Sequence, residues 1–161
     1  MNKEESSVTH TLNDVASQPI IYFAGSIRAG REDVVIYASL INEIKKYGKV
    51  ITEHVGDYKL SIKGQSSLSD RLIHDRDLKW LRHSDVVVAE VTIPSLGVGY
   101  EIATAILWRI PVIVLHRDSD KLVSAMIAGS PGVEIYRYKN IAEFTDIIEK
   151  ALNKNGLKKL K

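Results

Sequence analysis

The residues best suited to chemistry include a glycine-rich turn at positions 24–30, with the sequence Ala-Gly-Ser-Ile-Arg-Ala-Gly. Glycines let the backbone approach a ligand closely, and free N–H groups at the start of a following helix favour an anion. Ser26 can donate a hydrogen bond, and Arg28 or Arg31 can contact a phosphate through two N–H groups. The turn predicts a phosphate cradle, although it matches neither G-x-G-x-x-G nor G-x-x-x-x-G-K-[ST]. An ordinary strand-to-helix turn with solvated arginines is the alternative.

Glu101 is the second candidate, because residues 102–108 after it are apolar nearly all round and predict a buried helix. At the helix start, the dipole favours the ionised carboxylate while burial opposes it, so a tuned acid is expected. Residues 94–99 before it predict a second flexible turn, at the end of a strand. The alternative is a glutamate that only caps the helix.

Asp77 is the third candidate, because on a helix it shares a face with Ile73, Trp80 and Leu81. A carboxylate on an apolar face calls for a partner or a function. The alternative is an aspartate that tilts inward and pairs with Arg76 or a helix end.

Five short apolar runs and four helical stretches must position these side chains. The runs are mostly β-branched and predict buried strands, whereas spacings of three and four residues predict helices between them. Alternating strands and helices favour one flavodoxin-like, Rossmann-like domain: a five-stranded parallel sheet of order 2-1-3-4-5 with helices on both faces. Ligands bind such sheets at the carboxyl ends of the strands, near the reversal of strand order. The predicted strands are 20–24, 49–52, 85–89, 111–115 and 133–136, and the predicted helices are 33–47, 69–83, 96–109 and 141–152.

Length and composition limit the remaining possibilities. The 161 residues fit one domain, which we place at 19–153, after a disordered extension at 1–18 and before a basic, solvated tail at 154–161. A formal charge of +2 predicts no nucleic-acid partner, and no apolar run is long enough to cross a membrane. The absence of cysteine excludes thiolate chemistry and fits a cytoplasmic protein, with the nucleus as a further compartment.

Several motifs together resemble the 2′-deoxynucleoside 5′-phosphate N-hydrolases, a branch of the nucleoside 2-deoxyribosyltransferase superfamily. They include residues 22–33, the run Thr-Glu-His-Val at 52–55, the run Asp-Arg-Leu-Ile-His at 70–74, and residues 86–101. The resemblance continues through 122–127 and spans roughly residues 20–152. It implies a hydrolase that cleaves the N-glycosidic bond of a 2′-deoxynucleoside 5′-monophosphate and needs no metal or organic cofactor.

The resemblance also implies a role for individual residues. Glu101 matches the nucleophile, Asp77 the second catalytic carboxylate, and Ser124 a phosphate contact that a neighbouring subunit supplies in a homodimer. Tyr22 and His54 match positions around the sugar and base, and Tyr22 could hold the nucleophile by a hydrogen bond. The substrate-binding positions are Gly25, Ser26, Ile27, Arg28, Gly30, Ser95, Gly97 and Gly99.

Two other functions stay open at this stage. One is a transferase that exchanges bases between deoxynucleosides, which would have no need of phosphate contacts. The other is a non-catalytic nucleotide-binding module in which Glu101 is only a helix cap. The preferred base is not determined by these motifs.

Overall fold

A computed structural model describes residues 18–28, 32–60, 63–119 and 121–160. The predicted extension, apart from Gln18, lies outside these ranges, as does Gly30. Within the described ranges, no helix is long and apolar enough to cross a membrane.

Five strands form one fully parallel sheet: β1 Ile20–Ala24, β2 Lys49–Val50, β3 Val86–Glu90, β4 Val112–Arg117 and β5 Val133–Tyr138. Their order is β2-β1-β3-β4-β5, as predicted. A 3₁₀ turn, Glu53–Gly56, follows β2. The helices are α1 Val34–Ile44, α2 Asp70–Arg82, α3 Leu96–Leu107, α4 Ala125–Ala128 and α5 Ile141–Lys154.

Each face of the sheet carries its own apolar core. Because successive strand residues point to opposite faces, Ile21 and Phe23 of β1 pack towards α1 and α5, whereas Tyr22 and Ala24 pack towards α2 and α3. The central strand β3 is buried along its whole length, which explains its continuous Val-Val-Val-Ala run. The prediction of helices on both faces is therefore confirmed.

The second strand is shorter than predicted, ending at Val50 rather than at residue 52. The buried side chain of Thr52 takes over the pairing with β1: its hydroxyl accepts a hydrogen bond from Phe23 N at 2.8 Å and donates one to Phe23 O at 2.7 Å. The chain then turns into the 3₁₀ segment. Thr52 thereby holds the start of that segment, which carries His54, against the carboxyl end of β1.

A buried ion pair fixes the start of α1. Arg117, at the end of β4, contacts both carboxylate oxygens of Asp33 at 2.9 and 3.0 Å, and the Asp33 side chain is 7% exposed. Two parallel hydrogen bonds to one carboxylate make a strong, directional contact. The pair joins the helix that follows the glycine-rich turn to the carboxyl end of β4.

The basic tail is not wholly solvated, contrary to expectation. Gly156 adopts φ +84°, a left-handed conformation that ends α5 and that glycine adopts without strain. The chain then reverses, so that Leu157 is buried and Leu160 N donates to Lys46 O at 2.7 Å. The side chain of Leu157 and the backbone of Leu160 thus anchor the tail, while Lys154, Lys158 and Lys159 remain at the surface.

Candidate active site

A cavity of about 560 Å³ opens beyond the carboxyl end of β1, between the inner faces of α2 and α3. This is the edge where strand order reverses, as expected for the fold. Eight of the predicted site residues line it: Gly25, Ile27, Arg28, His54, Asp77, Ser95, Gly97 and Glu101.

Glu101 lies on the apolar stripe of α3, at helical spacing from Val98 and Ala105, which are both buried. Its Oε1 accepts a hydrogen bond of 2.6 Å from the hydroxyl of Tyr22, which reaches it from β1. The cap of α3 is Ser95, whose Oγ accepts from Val98 N at 3.5 Å. The interpretation of Glu101 as a helix cap is therefore wrong.

Burial raises the pKa of Glu101 to about 7, the hydrogen bond from Tyr22 opposes this rise, and the negative charge of Asp77 adds to it. Burial also raises the pKa of Tyr22 far above its ordinary value, and the adjacent Glu101 raises it further. Tyr22 therefore remains a neutral donor across the physiological range. Glu101 is left to exchange its proton close to neutral pH, which suits a group that must be ionised to react.

Asp77 faces the same cavity from α2, and it is also paired as the alternative interpretation proposed. Arg76 Nε donates to its Oδ1 at 2.8 Å, and Arg76 Nη2 lies 2.7 Å from the same oxygen. Both side chains are 20% exposed. Because Asp77 still lines the cavity, its pairing with Arg76 and a role in binding or catalysis are compatible.

The glycine-rich turn borders the opposite part of the cavity. A Cβ atom on Gly25 would lie 3.1–3.2 Å from side-chain atoms of Val55, Phe23 and Tyr37, so a larger residue would push into the packing. Arg28 pairs with Asp70 at 2.8 Å, and the two side chains are 57% and 82% exposed. An ion pair this exposed contributes at most about 1 kcal/mol, so an entering phosphate can displace Asp70.

Ser26 does not line the cavity. It is fully buried, and its backbone N–H donates to the hydroxyl of Tyr37 at 3.3 Å. A phosphate contact from the Ser26 side chain therefore remains a prediction that needs the turn to rearrange.

The helix predicted at 96–109 is confirmed, because α3 begins at Leu96 and contains both Gly97 and Gly99. The flexible turn predicted at residues 94–99 therefore does not extend beyond Ser95. The Ser95 cap starts the helix this early. A Cβ atom on Gly97 would meet only Ser95 Oγ, at 3.8 Å, so this glycine leaves room at the cavity wall. Gly99 instead lines a neighbouring groove.

That groove runs between α3 and α4 and is lined by Ser124, which does not line the first cavity. Its apolar rim is strongly exposed: Leu96 is 96% exposed, Leu122 84% and Met126 85%. The cavity and the groove share the wall formed by Ser95, Leu96 and Val98. Within this one chain, Ser124 is not brought together with Glu101.

Some cavity residues were not assigned a role from the sequence. His74 lies one helical turn before Asp77, and its Nε2 is 3.3 Å from the hydroxyl of Tyr100 on α3. Its spacing of three residues from Asp77 is a signal that could have identified it. Glu90, although fully buried close to the site, does not line the cavity; it accepts hydrogen bonds from Thr92 and Tyr138.

No cluster of three or more histidine, aspartate or glutamate side chains suited to a metal ion occurs among the described residues.

The model of the nucleoside 2-deoxyribosyltransferase family matches residues 21–156. The chain is 48% identical over 124 residues to a 5-hydroxymethyl-dUMP N-hydrolase of Danio rerio, covering 76% of this chain and 87% of the relative. It is 47% identical over 125 residues to the Mus musculus protein of the same name, covering 76% and 72%. A solved CMP N-glycosidase of Clostridium botulinum has the same fold, with a TM-score of 0.55 at 16% identity over 83% of this chain and 99% of that one.

Proposed function

Because this chain belongs to the nucleoside 2-deoxyribosyltransferase family, we propose that it hydrolyses the N-glycosidic bond of 2′-deoxynucleoside 5′-monophosphates. The products are the free base and 2-deoxyribose 5-phosphate. Relatives that are nearly half identical and are named 5-hydroxymethyl-dUMP N-hydrolases support this activity. The observation that carries it is the Glu101 carboxylate, held by Tyr22 at 2.6 Å on the wall of a cavity that also holds Asp77.

In the first step Glu101 attacks C1′ of the sugar. A bond forms between its carboxylate oxygen and C1′, the C1′–N bond breaks, and the bonding electron pair leaves with the base. The hydrogen bond from Tyr22 fixes the direction of the carboxylate. A 2-deoxy sugar lacks the electron-withdrawing 2-hydroxyl group, so positive charge develops at C1′ more readily than in a ribose.

In the second step water attacks C1′ and releases Glu101 as a carboxylate, and the proton lost by water ends on the base. Asp77 faces the cavity and can orient the sugar or help to move this proton. The same two steps occur in retaining glycosidases, in which the two carboxyl groups lie about 5–5.5 Å apart.

The phosphate contacts favour a hydrolase of nucleotides over a transferase of nucleosides. Arg28 and the backbone of Gly25 border one end of the cavity, and Ser95 caps α3 at its wall. An N–H-rich turn, a guanidinium and a helix start all favour an anion. Binding the 5′-phosphate would then hold the sugar against Glu101, an advantage that an unphosphorylated nucleoside lacks.

We also propose a homodimer in which the groove between α3 and α4 receives a second copy of the chain. Its rim exposes Leu96, Leu122 and Met126 almost completely, and monomeric proteins seldom expose such a contiguous apolar patch. The groove shares a wall with the catalytic cavity, so a second copy seated there would border the active site. Ser124 of each chain would in this way reach the phosphate bound by the other.

Introducing a negative charge into the groove by substitution tests the proposed dimer. Met126→Glu should give a monomer with reduced activity, measured by light scattering and base release, because a buried, unpaired carboxylate opposes association. Val35→Glu, at an exposed apolar position on the opposite face of the sheet, is the matched control and should stay dimeric. A wild-type chain that is monomeric and fully active would refute the shared site.

The decisive assay for the activity supplies the wild-type protein with a deoxynucleoside 5′-monophosphate, the matching nucleoside and a second free base. We expect the monophosphate to yield base and 2-deoxyribose 5-phosphate, and the nucleoside to persist. Glu101→Ala should abolish release without unfolding the protein. Exchange of bases without net hydrolysis would support the transferase instead, and nucleotide binding without either reaction would support the non-catalytic module.

A further inference from the structure

Arg76 occupies an unusual place for a cation, on the inner side of α2 and in the wall of the catalytic cavity. Its guanidinium carbon lies 4.4 Å from the centre of the Trp80 ring, and the side chain is only 20% exposed. The ring of Trp80 in turn lies 6.0 Å from that of His54, which borders the cavity as well. The aromatic ring thus holds the positive charge at a defined position inside the site.

The hydrogen-bonding capacity of Arg76 is largely unused. A guanidinium has five N–H donors. Nε donates to Asp77, whereas Nη2 is buried near the same oxygen at an angle that makes no hydrogen bond. Within the described part of the chain, the guanidinium makes no other hydrogen bond. The site therefore holds a positive group that can still donate hydrogen bonds to an oxygen or nitrogen atom of a ligand.

Departure of the base creates a need for such a group. The bonding electron pair leaves C1′ with the base, so negative charge grows on the ring nitrogen and the neighbouring carbonyl oxygen. This happens in a cavity that already contains Glu101 and Asp77. Of the arginines and lysines in the described chain, those lining the cavity are Arg28 and Arg76, and Arg28 lies at the glycine-rich turn, where the phosphate is proposed to bind. Arg76, next to Asp77, is therefore the cation placed to contact the base.

We propose that Arg76 is a further catalytic residue, which donates a hydrogen bond to the departing base and stabilises its negative charge. This proposal rests on the proposed hydrolase function. Glu101 forms the bond to C1′ as the C1′–N bond breaks, and the base leaves as an anion bound by the guanidinium. The base takes its proton afterwards from the water that attacks the sugar. Asp77 then serves to orient Arg76 and the sugar and need not be the acid.

The test compares leaving bases of different acidity under single-turnover conditions. The substrates are the 5′-monophosphates of 5-fluoro-2′-deoxyuridine, 2′-deoxyuridine and thymidine, whose bases become poorer leaving groups in that order. The variants are Arg76→Gln and Arg76→Lys. Arg82→Gln is the matched control, because Arg82 lies on the same helix with its guanidinium carbon 5.1 Å from the Trp108 ring, outside the cavity.

We expect Arg76→Gln to slow thymine release by roughly 10²-fold, as loss of one charge-stabilising donor does in other enzymes, and to slow 5-fluorouracil release several-fold less. Arg76→Lys should lie between wild type and Arg76→Gln, because it keeps the charge but not the planar fork. Arg82→Gln should leave all three rates unchanged. Circular dichroism and the Tm of each variant establish that it is folded.

Equal rate losses for all three bases in folded Arg76→Gln would overturn the proposal, since a residue that only orients the sugar or holds the wall of the cavity affects every base alike. No loss at all would overturn it too. A wild-type protein that releases none of the bases would refute the proposed hydrolase itself, and the role of Arg76 with it.

Discussion

Replacing Glu101 by Gln should abolish base release and at the same time stabilise the fold at alkaline pH. The ionised carboxylate is unfavourable in its buried setting beside Asp77, which is why its pKa lies near 7 instead of 4.5. A carboxyl group whose pKa is raised by folding binds more protons in the folded state than in the unfolded state. The contribution of Glu101 to the free energy of unfolding therefore falls as pH rises from about 4.5 to about 7 and levels off above that.

The size of the effect follows from the shift in pKa. At about 1.4 kcal/mol for each pH unit, a rise from 4.5 to about 7 corresponds to a ceiling of about 3 kcal/mol at pH 8.5. Relaxation of the cavity and access of water reduce this to about 1–2 kcal/mol. In a domain of this size that is a rise in Tm of about 2–8 °C. Glutamine keeps an oxygen that can accept the hydrogen bond from Tyr22.

Thermal unfolding at pH 8.5 and pH 5, with base release measured in parallel, provides the assay. The Tm of Glu101→Gln should exceed that of the wild type at pH 8.5, and the difference should shrink several-fold at pH 5. Glu149→Gln, on an exposed part of α5, is the control and should change Tm by little at either pH. A Glu101→Gln protein that is no more stable at pH 8.5, or equally stabilised at both pH values, would refute the argument.

Three further predictions rest on neighbouring contacts. Tyr22→Phe removes the hydrogen bond that favours ionised Glu101, so the pH at which kcat/KM reaches half its plateau should rise; an unchanged pH profile would contradict this. Gly25→Ala forces a methyl group into contacts of 3.1–3.2 Å and should lower the free energy of unfolding in urea by about 1–2 kcal/mol; full stability would show that the turn adjusts freely. Arg117→Met leaves the buried Asp33 carboxylate without its partner and should lower stability by about 2–4 kcal/mol, whereas a loss below 1 kcal/mol would count against the ion pair.

The sheet could be predicted because its strands are buried on both faces and therefore read as continuous apolar runs. Its parallel strands followed from the alternation of strands and helices, and the order 2-1-3-4-5 is a common one for such a sheet. The exact length of β2 could not be predicted, because the hydroxyl of Thr52 replaces backbone pairing with Phe23. The burial of Leu157 depends on a reversal of the chain at Gly156, and nothing in the lysine-rich composition of the tail indicates it.

The candidate site likewise has some features that the sequence predicts and others that depend on packing in the folded chain. Asp77 and Glu101 could be identified because each places a charge on an apolar helical face, and the fold then brings both to one cavity. The burial of Ser26 depends on packing around the turn, which local sequence does not describe. The end of the turn before α3 depends on where Ser95 caps the helix, so the glycines suggested a flexible turn over 94–99 although the predicted helix already began at residue 96.

The stereochemistry of the reaction tests the role of Glu101 most directly. Base release in water containing methanol should also form a methyl 2-deoxyriboside 5-phosphate, and NMR reads its configuration at C1′. Two successive displacements, first by Glu101 and then by solvent, return the β configuration of the nucleotide. We predict the β anomer from the wild-type protein and no product from Glu101→Gln; the α anomer, formed by a single displacement by solvent, would contradict the mechanism.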